Sequence, residues 1–223
     1  MILLIDTSTE KAAVSVADKD KLTGFTEENP QPKEHASWLH PAIKRMLERS
    51  GTVMEELEAV AVSAGPGSYT GLRVGMAAAK GICYALQIPL ITVNTLQIMA
   101  EAMVLQAKEK KALVCPMIDA RRQEVFTAIY SADMQEILAP QALILDKTSF
   151  ERTLADNRII FSGSGAGKWK ILTASKNAVF SDQINVMESF MHISVRYLAE
   201  KKWTELISSE PIYLKEFYTH AKI

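Results

Sequence analysis

Two aspartates and two glycine loops are the residues in this chain best suited to chemistry. Asp6 and Asp119 each end an apolar run, and Gly65-Pro66-Gly67 and Gly163-Ser164-Gly165 each follow a later one. Carboxylates at a first turn can organise a metal-bound nucleotide, and glycine lets backbone approach phosphate or adenosine closely. Turn and cap roles would need the same aspartates, and a tight turn into a helix at Lys168 would need the same glycines. Other chemistries find less support. His35 and His40 are five residues apart, which keeps them off one helix face, and His192 and His220 have no partner at ligand spacing. Ser8, Ser63 and Ser68 sit in no Gly-x-Ser-x-Gly elbow, which argues against a serine hydrolase. The two cysteines, Cys83 and Cys115, form no Cys-x-x-Cys pair, so neither a disulfide framework nor a zinc site is expected and a reducing cytosol is the natural compartment.

The chain that positions these residues has an ordinary globular composition. Its 223 residues are 48% hydrophobic and 23% charged, with a net charge of -1, which excludes a disordered chain or a strongly basic nucleic-acid arm. The basic pairs Lys110-Lys111, Arg121-Arg122 and Lys201-Lys202 are scattered, so no concentrated phosphate-binding face is predicted. The uncharged stretch 81–100 is interrupted by Gln87, Pro89, Thr92, Asn94, Thr95 and Gln97, which predicts a helix end, a strand and a helix start instead of a membrane span. The N-terminus reaches Asp6 without a basic region, so it reads as a buried strand and not as a secretory signal. A soluble, cytoplasmic protein is the expectation.

Periodicity predicts strands over 2–5, 12–16 and 22–26, then a helix over 33–50 that Gly51 stops and that Pro41 either kinks or begins. A strand over 59–63, a helix over 69–86, a strand over 89–93 and a helix over 95–108 complete the first half. After the charged run 108–111 the second half reads as strands over 112–118, 124–130 and 136–139, a helix near 148–155, a strand over 158–161, a short helix, a weak strand near 178–180 and a helix over 186–201. Both halves therefore read β-β-β-α-β-α-β-α. The expected fold is α/β, with two similar lobes, 1–110 and 111–223, each built on a mixed five-stranded sheet flanked by helices. The last helix and tail could pack back on the first lobe, and for Trp203, Tyr213, Phe217 and Tyr218 the other lobe or a partner is an equal alternative. Ligand loops of such sheets gather at the carboxyl ends of the parallel strands, so the two lobes would face one cleft.

This duplicated arrangement resembles the superfamily of actin, sugar kinases and heat-shock ATPases. That superfamily's first loop carries Asp-x-Gly-Ser/Thr, whereas here Thr7-Ser8-Thr9 follows Asp6 and the glycine is missing. Four segments together bear a closer resemblance to the bacterial TsaB family, also called YeaZ. They are residues 5–8 (IDTS), residues 63–75 (SAGPGSYTGLRVG), residues 119–126 (DARRQEVF) and residues 211–215 (PIYLK), supported by residues 35–41 (HASWLHP). The resemblance spans essentially the whole chain.

It implies a non-catalytic subunit, without a cofactor, that supports formation of threonylcarbamoyladenosine in tRNA. The partner implied is TsaD, a paralogue that transfers the threonylcarbamoyl group to the adenosine beside the anticodon. TsaD carries two metal-binding histidines four residues apart on a helix. Thr95 and Met99 stand at those positions here and cannot replace imidazole, so no metal site is expected. The resemblance further implies recruitment of the ATPase TsaE, pairing with TsaD or a second copy, and contact with tRNA mainly through partners. The interface would use the helices over 33–50 and 68–86, with His35, Leu39, Met46, Tyr69, Gly71, Arg73, Gly75, Met76, Ala79, Lys80 and Tyr84 as its residues. Asp6, Asp119, Gly163 and Gly165 would form a vestigial nucleotide site. The competing expectation is an active phosphotransferase or ATPase of the sugar-kinase type using those same aspartates and glycine loops.

Overall fold

The computed structural model describes residues 1–19, 21–31, 34–107, 111–181 and 184–215. The helix start expected at Lys33, most of the charged run 108–111, and Phe217, Tyr218 and His220 lie outside the described residues. The first half forms β1 (Ile2–Asp6), β2 (Ala13–Asp18), β3 (Lys21–Glu28), α1 (His35–Ser50), β4 (Ala59–Gly65), α2 (Tyr69–Leu86), β5 (Leu90–Asn94) and α3 (Thr95–Gln106). The second half repeats the series as β6 (Leu113–Asp119), β7 (Glu124–Tyr130), β8 (Glu136–Ile144), α4 (Glu151–Asp156), β9 (Ile159–Ser162), α5 (Ala166–Lys170), β10 (Ala178–Ser181) and α6 (Val186–Ala199).

The sheets share one topology, β3-β2-β1-β4-β5 in the first and β8-β7-β6-β9-β10 in the second. In each, the leading strand pairs antiparallel with the next strand and parallel with the fourth. The apolar runs of β1 and β4 are buried along their whole length, as strands covered on both faces must be. Leu3 and Ile5 meet α1 and α2 on one face, where Leu39, Met46, Met76 and Cys83 pack. Ile2 and Leu4 meet Phe190, Met191 and Ile193 of α6 on the other. On the second sheet, Cys115 and Met117 pack with Phe161 and Trp169, while Val114 and Ile118 meet Leu96, Met99 and Met103 of α3.

The two halves thus exchange a helix each. α3 covers the second sheet, α6 covers the first, and the two helices touch through Arg196 Nη2 to Glu101 Oε2 at 3.2 Å and through Tyr197 to Gln97.

Two boundaries differ from the sequence reading by three residues or more. β8 continues past Pro140 to Ile144, because it is the edge strand of its sheet and a proline there need not break the ladder. α4 begins at Glu151, because Asp146 accepts from Thr148 N, Thr148 Oγ1 and Ser149 Oγ and holds that stretch in a turn. Pro41 lies inside α1, which ends on Gly51 at φ 67°.

Phe190 is fully buried against the first sheet. Phe190→Ala should lower stability by about 3–5 kcal/mol, read from the urea midpoint. A loss under about 1 kcal/mol would show that α6 does not anchor the first sheet.

Candidate functional site

At the carboxyl end of β1 the chain turns through Thr7 and Ser8, both buried. Asp6 is buried as well, and its Oδ1 accepts from Ser8 N at 3.0 Å, Ser8 Oγ at 2.6 Å and Ser63 Oγ at 2.7 Å. That oxygen is therefore held by the chain's own donors. The first turns of α2 come down on the same loop. A Cβ on Gly67 would overlap the Ser8 carbonyl oxygen, one on Gly71 the Thr7 carbonyl oxygen, and one on Gly75 the Thr7 hydroxyl. The Gly71–Gly75 face therefore points inward, Gly71 against the Thr7 backbone and Gly75 against the Thr7 side chain. His35 joins this contact: it is buried, its Nδ1 lies 3.3 Å from Asn29 Nδ2, and its ring lies 2.9 Å from where a Gly71 Cβ would stand.

The corresponding turn of the second half is more open. Asp119 pairs with Lys168 Nζ at 2.5 Å, accepts from Arg121 N at 2.6 Å, and its own N–H donates to Ser164 Oγ at 3.0 Å. Partial burial acts to raise the Asp119 carboxyl, but the hydrogen bonds from Lys168 and Arg121 and the Lys168 charge outweigh it, leaving its pKa below the usual value. The ammonium of Lys168 thus sits against this carboxylate. Gly163 and Gly165 form the turn into α5, where Gly165 N donates to Met117 O at 3.0 Å. Gly163 has φ 106°, and the Met99 methyl fills the space 2.6 Å from where its Cβ would be. Thr95 and Met99 are both buried on α3. Burial pushes the Cys83 thiol up to about 11 and the Cys115 thiol up to about 12, so both stay protonated and unreactive at neutral pH. Among the described residues no three His, Cys, Asp or Glu side chains gather as a metal-ligand group, and no helix is long and apolar enough to cross a membrane.

The expected interface residues divide into two sets. His35, Leu39, Met46, Gly71, Gly75, Met76 and Ala79 are buried inside the first lobe, which corrects their placement on an outer surface. Tyr69, Arg73 and Tyr84 are exposed and Lys80 half-buried on α2. Arg73 and Lys80 already bind the chain's own C-terminal stretch, Arg73 through Tyr213 and Lys80 through the carbonyls of Ile207 and Ser209.

What faces outward between α1 and α2 is a different strip. Two adjoining hollows of about 640 and 480 Å3 meet at His40, Met54 and Ile82, with Ala36, Val74, Ala77, Gly81 and Ala85 lining the second. Ala77, Gly81 and Ala85 are four residues apart and exposed, and a Cβ on Gly81 would meet nothing within 4 Å. A signal for this strip was present in the sequence: Gly81 is six residues beyond Gly75, about 240° around a helix, and so belongs to another face.

Comparison with known proteins identifies the family. A family model described as "TsaD: tRNA N6-adenosine threonylcarbamoyltransferase" matches residues 29–220. The tRNA threonylcarbamoyladenosine biosynthesis protein TsaB of Escherichia coli is 30% identical over 221 residues, covering 96% of this chain and 94% of that protein. The TsaB of Haemophilus influenzae is 28% identical, covering 100% and 96%. The chain belongs to the TsaB (YeaZ) family. YeaZ from Pseudomonas aeruginosa superposes with a TM-score of 0.78 at 23% identity, covering 96% of this chain and 99% of that one. A putative N-acetylglucosamine kinase from Porphyromonas gingivalis superposes at 0.50 with 10% identity, covering 88% and 99%, a likeness of fold alone and consistent with the actin and sugar-kinase type.

The close approach of α2 to the first turn can be tested in this TsaB-family chain. Gly75→Ala should cost about 1–3 kcal/mol by overpacking against Thr7. Thr7 Oγ1 is buried without a hydrogen-bond partner, so adding Thr7→Ala should recover much of that loss in urea denaturation; strictly additive losses would refute the contact.

For Asp119 the folded-state pKa lies below the unfolded one, so in acid the unfolded chain binds more protons, and stability from the Lys168 pair is present above about pH 3.9 and lost below it. Asp119→Asn should therefore cost at most about 1 kcal/mol at neutral pH, the pair being partly exposed. The gap to the parent should close as pH falls through and below that value, and a gap that widens in acid would contradict the assignment.

Proposed function

We propose that this chain is a non-catalytic subunit in tRNA threonylcarbamoyladenosine biosynthesis, working in the cytoplasm as a dimer with TsaD. The observation that carries the non-catalytic reading is the Asp6 carboxylate. It is buried and hydrogen-bonded by Ser8 and Ser63 on a turn that lacks the motif's glycine, Ser8 standing at that position. Lys168 against Asp119 supports it further, since a cation of the chain's own stands at the second aspartate. The same two features weigh against an ATP-dependent phosphotransferase.

The TsaD-binding face in this reading is the strip between α1 and α2. It is apolar, built of small residues and open to close approach by another helix, and the exposed Tyr84 stands at its border. The same face would take a second copy of the chain when TsaD is absent. TsaE would join the assembled pair, and tRNA would be gripped mainly by the partners, in keeping with the near-zero net charge. The lobes proposed are 1–110 and 111–223, apart from the exchanged helices.

Gly81→Trp tests the reading, because the site has room for the side chain in the lobe alone. The variant should stay folded, lose co-purification with TsaD by at least tenfold, and abolish modification of tRNA reconstituted with TsaD, TsaE and the threonylcarbamoyl-adenylate synthase. A folded variant with full TsaD binding would refute the face, and modification that proceeds equally well without this chain would refute the function.

A further inference from the structure

Residues 203–215 form neither a helix nor a regular strand, yet they are tied to both sheets. Thr204 N donates to Leu90 O at 2.8 Å and Thr204 Oγ1 lies 2.7 Å from Thr92 Oγ1, so the segment begins along β5, the edge strand of the first sheet. Lys80 Nζ then holds the carbonyls of Ile207 at 2.9 Å and Ser209 at 3.1 Å. Ile212 N donates to Ala64 O at 2.7 Å, and its carbonyl oxygen lies 2.7 Å from where a Gly65 Cβ would stand. This glycine loop therefore receives the chain's own backbone.

The segment next passes α2 and ends on the second lobe. Arg73 Nε donates to Tyr213 Oη at 3.0 Å, while the guanidinium lies 4.1 Å from the centre of the Tyr69 ring. Leu214 packs into the cluster of Met99 and Ile118 beneath the second sheet, and Lys215 pairs with Glu124 of β7.

We propose that residues 203–215 act as a strap that fixes the two lobes relative to each other and holds α2 in place. Three physical features support this. Backbone hydrogen bonds tie Thr204 to the edge strand β5 and Ile212 to the carboxyl end of β4, which fixes the segment's register on the first sheet. The stacked, doubly engaged guanidinium of Arg73 and the two-carbonyl cap of Lys80 act on the same helix from one side. The Lys215–Glu124 pair and Leu214 then anchor the end of the strap on the other lobe. α2 also carries Ala77, Gly81 and Ala85, so the strap sets the pose of the outer strip; that consequence rests on the proposed function, whereas the coupling of the lobes does not.

Hydrogen–deuterium exchange on the full chain, without any partner, tests the strap. In Arg73→Ala combined with Lys215→Glu, amides of 208–214 and of 64–72 should exchange at least tenfold faster than in the parent, while those of β1 stay unchanged. Faster exchange confined to 208–214 would mean a passive tail and would overturn the proposal. Adding Glu124→Lys to Lys215→Glu alone should restore parental protection at 208–214 and at 124–126, a charge swap that remains informative if the first variant unfolds. Failure of the swap to restore protection would overturn the lobe link. Because the measurement uses the isolated chain, it is independent of the Gly81→Trp result.

Discussion

The carboxyl edge of the first sheet depends on how near α2 comes to the turn after β1. Gly67, just before the helix, and Gly71 and Gly75 within it carry no side chains where the chain meets Ser8 and Thr7, and the backbone of the turn and the Thr7 side chain take up that space. Glycine inside a helix costs about 1 kcal/mol relative to alanine, so Gly71 and Gly75 in the first two turns of α2 signal a constraint stronger than helix propensity. The approach allows Ser68 to cap the helix through Gly71 N and brings Ser68 N onto Ser8 O at 2.7 Å. Asp6 then finds its donors in Ser8 and Ser63. The turn is closed by protein atoms.

The second constraint is the exchange of helices. Each sheet has an apolar face covered mainly by the last helix of the other half, with Ile98 of α3 reaching the first sheet's cluster and Val186 of α6 reaching the clusters of both sheets. The partly buried Arg196–Glu101 pair and the Gln97–Tyr197 contact lie where those helices cross. Neither lobe is complete without the other, and the Met99 side chain, wedged beside Gly163, is part of that seam.

The two glycine loops are filled from within by two routes. At the first loop the tail carbonyl of Ile212 occupies the space above Gly65. At the second, Met117 and Val125 crowd Gly163 and Gly165, and Lys168 neutralises Asp119. In each case the glycine is explained by an intramolecular neighbour. The outward face of α2 is the one where a Cβ, on Gly81, would meet nothing within 4 Å.

Element order and type were legible from the sequence because they depend on local patterning. Apolar runs, Gly51 as a helix stop, and the repeated β-β-β-α-β-α-β-α order follow from periods of 2 and 3.6 residues that each segment carries by itself. The family, too, could be read from short linear segments. The direction in which α2 points could not, since a stripe at 71 and 75 and a strip at 77, 81 and 85 are equally plausible outer faces until a sheet and a turn are placed against one of them. Four residues of α2 expected outside, Gly71, Gly75, Met76 and Ala79, are inside for that reason, together with His35, Leu39 and Met46 on α1. The partners of Arg73 and Lys80 lie more than 100 residues away along the chain, in a segment with no periodicity of its own. Local propensity determined the elements, while long-range packing decided which of their faces stayed exposed.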